Sequence, residues 1–168
     1  MGYENQKLPE LAMDLQEKST EEIVQFVVSR YHEDLRKRIP ELILMAEKVE
    51  SVHRDHPLCP QGLSALLKQL NQDLNMHMMK EENVLFPLLS SGRGRMALMP
   101  IKVMTLEHEE HAHHLEKLHQ QTKDFHAPEG ACTTWRTLYN GLQDLEKELL
   151  EHIHLENDIL FPRALTQD

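Results

Sequence analysis

An eleven-residue pattern occurs twice in this chain, and it constrains the fold more than any other feature. His77-Met-Met-Lys-Glu81-Glu-Asn-Val-Leu-Phe-Pro87 returns as His152-Ile-His-Leu-Glu156-Asn-Asp-Ile-Leu-Phe-Pro162, 75 positions on (152 less 77). Residues four apart lie one turn apart on one face of a helix. A His-x-x-x-Glu pair can therefore aim an imidazole and a carboxylate at a single point. One such pair is an ordinary solvated couple. Two, each running into an apolar Leu-Phe-Pro end, indicate a helical hairpin used twice. His32 and His108, 76 apart (108 less 32), add one further histidine to each half.

The remaining sequence provides the helices. Hydrophobic residues make up 40% of the 168, aromatics only 5%, and there are 6 glycines, while Leu, Met, Glu, Lys and Gln favour helix. Ser19 or Thr20 followed by Glu22 reads as a helix start. Apolar residues then recur with helical period at Ile23, Val24, Val27, Val28, Tyr31, Leu35, Ile39, Leu42, Ile43, Ala46 and Val49. The pattern predicts helices over residues 20–53, 61–89, 97–125 and 132–161, with a kink near Pro40. Breaks fall at His56–Pro60, Ser90–Gly94 and Ala127–Gly130. The expected fold is all-α, an antiparallel up-down-up-down four-helix bundle over residues 19–168, preceded by a polar lead-in over residues 1–18.

In such a bundle the histidines reach one depth. His32 stands about 20 residues before the end of the first helix, roughly 30 Å at 1.5 Å per residue, and His77 and Glu81 return by roughly 24–30 Å along the second. Packing the halves about a pseudo-two-fold axis gathers His32, His77, Glu81, His108, His152 and Glu156. Four imidazoles and two carboxylates exceed the needs of one tetrahedral zinc. They suit two octahedral ions of borderline hardness, each with two histidines, with Glu81 and Glu156 bridging. An added oxo or hydroxo bridge leaves one position per ion for O2 or NO. Iron fits this mixed nitrogen and oxygen donor set best, with manganese or zinc as alternatives.

Charge narrows the partners. A net charge of −10 disfavours nucleic acid, whose binding rests on Lys and Arg, and an anionic membrane surface. No stretch has the roughly 20 apolar residues of a spanning helix. Met1–Glu10 has no basic start, apolar run or cleavage signal of a secretory leader. Cys59 and Cys132 are too few for a disulfide framework, so free thiols and a cytoplasmic location are expected.

Other residues are read more plainly. Among the 12 histidines, His111 is expected to flank the site rather than serve as a seventh ligand. His113, His114 and His119 are expected in solvent, and His154 points away from the core. His53 stands at the end of the first helix, beside the site or a channel to it. Glu107, Glu109 and Glu110 read as surface, and methionines such as Met76, Met78 and Met79 as adaptable core filler.

These residues resemble the hemerythrin-like domain of bacterial iron–sulfur cluster repair di-iron proteins. The likeness lies in Arg30-Tyr31-His32, Ile39-Pro40-Glu41-Leu42-Ile43, Val52-His53, His77 through Glu82, Glu107-His108-Glu109-Glu110, Ala131-Cys132-Thr133-Thr134-Trp135, and His152 through Ala164. It spans about residues 20 to 165. It implies a non-haem di-iron centre and a role in nitrosative and oxidative stress, with repair of damaged iron–sulfur clusters by iron donation or by NO removal. The small N-terminal domain with a cysteine pair that such proteins usually carry is not matched here, so its thiol chemistry is not carried over. Oxygen-carrying hemerythrins use a further histidine four residues after the third-helix ligand, where this chain has Ala112. That favours reactivity over carriage.

Two classes of function follow. In one, the chain takes part in cluster repair, donating iron to apo iron–sulfur proteins or reducing two NO to N2O with one electron from each iron. In the other it is a reversible O2- or NO-binding or sensing module. A monomer or weak homodimer is expected in either case.

Overall fold

A computed structural model describes residues 14–166. Four long helices account for most of them: α1 (20–52), α2 (63–90), α3 (94–122) and α4 (133–166). The expected lead-in lies mostly outside the described residues. Its described end turns Leu15 into the core.

Local chemistry sets the helix ends. Ser19 caps α1, its hydroxyl accepting the Glu22 N–H at 3.2 Å while the Glu22 carboxylate accepts the Ser19 N–H at 2.7 Å. Such a reciprocal cap stabilises a helix start by about 1 kcal/mol. Glu50, near the end of α1, accepts backbone N–H groups from Gly62 and Ser64 and so ties the first turn of α2 to its neighbour. α3 stops at Thr122, three residues earlier than the periodicity suggests. Lys123, Asp124 and Phe125 all take positive φ (53, 56 and 61°), a region costly for residues with a Cβ, and the Thr122 hydroxyl accepts the Phe125 N–H at 3.1 Å.

The helices pack as a closed antiparallel ring, α1 against α2 and α4, and α3 against α2 and α4. The apolar stripes read from the sequence face inward. Ile23, Val27, Tyr31, Leu35, Ile39, Leu42, Ala46 and Val49 of α1 are buried, as are Leu63, Leu67, Leu70 and Leu74 of α2 and Trp135, Leu138, Leu142, Leu145 and Leu149 of α4. α1 and α4 approach closely at Gly141, where a Cβ would stand 2.7 Å from Leu42 Cδ2. The core is split in two. One cluster runs from Leu35 to Val49 and includes Trp135 and Leu149; the other joins Ile23, Val27, Leu85, Met104, Leu155 and Phe161. Between them lies a buried polar layer.

The helices are not uniformly wound. A π-helical turn interrupts α1 at Val28–His32, α2 at Glu81–Leu85 and α4 at Glu156–Leu160. Each closes with a bond five residues back: Glu33 N–H to Val28, Phe86 N–H to Glu81, Phe161 N–H to Glu156. Such turns are rare and gather at functional sites. The π-helical turn of α1 thus ends at His32, and the helix continues through Pro40. α4 likewise continues past Pro162 to Thr166. No helix among the described residues is long and apolar enough to cross a membrane.

Candidate metal centre

The polar layer contains all six residues singled out by the repeat. His32, Glu81 and Glu156 have no exposed surface, and His77, His108 and His152 have almost none. The three π turns end on His32 and begin on Glu81 and Glu156. By adding a residue to the turn, they rotate these side chains relative to an unbroken helix face.

Glu81 sits between His32 and His77, each Nε2 being 3.2 Å from a different carboxylate oxygen. Glu156 sits between His108, at 2.9 Å, and His152, at 2.6 Å. Two four-residue groups have donor atoms mutually within 4.8 Å: His32, Glu81, His152 and Glu156, and His77, Glu81, His108 and Glu156. They share both carboxylates. Each thus presents two imidazoles and two carboxylates, and each could hold a metal ion.

The donor set fits cations. Neither oxygen of Glu81 has a hydrogen-bond partner among the described residues, though the side chain is fully buried. Its polar neighbours are the two imidazoles at 3.2 Å; burying a carboxylate costs on the order of several kcal/mol unless it is paired with positive charge, which a cation among these donors would provide. His77 Nε2 and His108 Nε2 face each other at 3.1 Å, an approach that two lone pairs tolerate only around a shared proton or beside positive charge.

Three of the four imidazoles are oriented from behind. His32 Nδ1 meets Glu82 Oε1 at 2.8 Å, and Glu82 is held in turn by Arg36 at 2.9 and 3.0 Å. His77 Nδ1 meets Glu107 Oε2 at 2.8 Å, and Lys80 pairs with the other Glu107 oxygen. His108 Nδ1 meets the Asn157 Oδ1 acceptor at 2.8 Å. An Nδ1–H donated to such an oxygen leaves the Nε2 lone pair for a metal. His152 Nδ1 is buried without a partner among the described residues; its ring stacks on Tyr31, centroids 5.0 Å apart. Phe86 stacks on His32 and Phe161 on His108, so the repeated Leu-Phe-Pro end covers an imidazole in each half.

The electrostatics follow from this crowding. Burial alone would lower the His77 pKa, but Glu81, Glu156 and Glu107 outweigh it and hold the ring at about 9. His32 is raised by the same balance: burial opposes, and Glu81, Glu156 and Glu82 prevail. Burial pushes Glu156 up, but His152 and His108 bring it well below the usual carboxylate range. The carboxylates thus favour positive charge within this layer.

Several readings of the outer residues change. Glu107, expected at the surface, orients His77, and Glu82 and Asn157, occupying the same place in the two repeats, were not anticipated as supports. Their one sequence signal was adjacency to Glu81 and Glu156. His53 contacts Cys132 Sγ at 3.1 Å and the Trp135 ring, not the six; Cys59 and Cys132 are free. His119 is not simply solvated, because Glu146 and Asp124 (3.0 Å) flank its two nitrogens. His114 is mostly buried. Met76, Met79, Met96 and Met99 are exposed, whereas Met78 and Met104 are core. His113 and His154 are exposed beside Glu116 and Asp158. His111 is buried against His77 and stands outside both donor groups; burial, then His77 and His108, push its pKa down to about 3.

Residues 25–164 match the hemerythrin HHE cation binding domain. The chain is 48% identical over 157 residues to the iron–sulfur cluster repair protein YtfE of Yersinia pseudotuberculosis, covering 94% of this chain and 71% of that protein. It is 47% identical to the protein of the same name in Yersinia pestis, with the same coverage. With its paired His and Glu groups inside such a bundle, the chain belongs to the hemerythrin HHE family, in its branch of iron–sulfur cluster repair proteins.

Proposed function

We propose that His32, His77, Glu81, His108, His152 and Glu156 hold two iron ions, and that the protein takes part in repair of damaged iron–sulfur clusters under nitrosative and oxidative stress. The observation that carries this reading is Glu81, a fully buried carboxylate set between two histidine Nε2 atoms at 3.2 Å, with neither oxygen hydrogen-bonded among the described residues. Two iron ions so held supply Lewis acidity and one-electron chemistry to a small molecule such as NO or O2.

The chain's own residues do the rest. Glu81 and Glu156 belong to both donor groups and would contribute to holding both ions. Glu82, Glu107 and Asn157 keep three imidazoles turned with Nε2 inward. Phe86, Phe161 and Tyr31 cover the rings and keep water from them. A dry, braced site of this kind favours chemistry on a bound small molecule, while release of one ion to an apo iron–sulfur protein would need local opening. The relatives are named for iron–sulfur cluster repair, which is consistent with either route.

The test is iron analysis of the purified protein with its optical spectrum, before and after His77→Ala. About two irons per chain are expected, with clear loss in the variant. A wild-type protein that binds no iron when reconstituted anaerobically with ferrous salt would refute the reading.

A further inference from the structure

His111 has no counterpart in the first half of the molecule. Moved back by the 76 positions that relate His108 to His32, it falls on Leu35. Both side chains are buried, Leu35 at 3% and His111 at 2% exposure. Leu35 is part of the apolar core. His111 lies edge-on to His77, centroids 4.8 Å apart at 80°, and 6.3 Å from His108. Its Nδ1 is buried with no hydrogen-bond partner among the described residues. An unpaired buried nitrogen is a cost that leucine would not incur, and Leu35 shows that leucine can serve at the related position. Nor is His111 needed to orient its neighbours, since His77 and His108 have their Nδ1 atoms on Glu107 and Asn157.

We propose that His111 is a ligand-recognition residue, hydrogen-bonding a small molecule or anion held at the His77/His108 side of the centre and making that side the one where exogenous ligands bind. The idea rests on the ion-pair reading above. An imidazole offers one N–H and one lone pair, so it can serve the bound end of a diatomic or a triatomic anion. On the His32/His152 side the ring of Tyr31 stacks on His152, and the position related to His111 is the buried Leu35, so no imidazole stands there.

The test uses sodium azide as probe on the iron-loaded chain, comparing wild type with His111→Leu and His111→Gln. Iron content, azide affinity and the azide-dependent absorption band are read together, with helicity and melting temperature as controls. All three proteins are expected to keep their iron. His111→Leu should bind azide about tenfold more weakly with a shifted band, since a hydrogen bond to an anion contributes about that much. His111→Gln should recover part of the loss through its amide N–H. Should His111→Leu fail to fold, His111→Gln and His111→Ala carry the same comparison. Equal azide affinity and band position in all variants would overturn the proposal. So would loss of iron from folded His111→Leu, which would make His111 a ligand. Wild type that holds iron but does not bind azide would overturn this inference alone, whereas wild type without iron would remove the proposed function with it.

Discussion

The two sides of the centre come from one repeated hairpin, yet they are differently supported. His32 and His152 define one side, His77 and His108 the other, and Glu81 and Glu156 serve both. The repeat relates Glu82 to Asn157 and, by the 76-residue offset, Tyr31 to Glu107 and Leu35 to His111. On the first side one imidazole rests on a carboxylate, Glu82, and the other on a ring, Tyr31. On the second side one rests on a carboxylate, Glu107, and the other on an amide, Asn157, with a third imidazole beside them. The six converging side chains are thus alike in the two halves, while the groups behind them differ. What differs is the polarity of the walls, and that would separate the chemistry of two otherwise similar ions.

The largest expected effect comes from removing what both sides share. Glu81→Ala and Glu156→Ala should each abolish the paired site, with iron content by elemental analysis falling from about two per chain to near zero at stoichiometric iron. Loss of only one ion in either variant would mean that the carboxylates do not bridge. Metal removal comes next. A ligand present at about a thousandfold over its dissociation constant stabilises by about 4 kcal/mol, and for a domain of this size that is a melting-temperature difference on the order of 10 °C. Calorimetry of loaded and chelator-treated protein checks it, and equal melting temperatures would show that the ions do not stabilise the polar layer.

Smaller effects separate the sides. Glu82→Gln and Glu107→Gln should each weaken one ion by about 10–100-fold, leaving a biphasic titration with one tight and one weak site. A single uniform weakening would mean that the two positions are coupled as one unit. Asn157→Asp should have a milder effect of opposite sign, strengthening the hold of His108, because a charged acceptor makes the imidazole a better donor to metal. Competitive titration against a chromogenic chelator would detect it.

The local parts of the site were legible in the sequence, since they depend on spacing within one helix. The i, i+4 relation of His77 to Glu81 and of His152 to Glu156, and the period of the apolar stripe in α1, are properties of a single helix backbone whatever it packs against. The repeat added which pairs belong together. Glu107 could not be read this way. It looks like any acid on a helix face, and it orients His77 because α3 packs beside α2 at one rotational setting. The Phe86 and Phe161 contacts to rings on other helices were hidden for the same reason.

The sequence by itself determined the all-α hairpin repeat, the inward stripes and the identity of the six converging side chains, because these follow from backbone periodicity and donor chemistry. Tertiary structure decided the π turns at His32, Glu81 and Glu156, the partners behind each imidazole and the burial of His111. Those depend on how far each helix is rotated and shifted against its neighbours, and that balance is struck by packing across the whole core rather than by residues near one another in the chain.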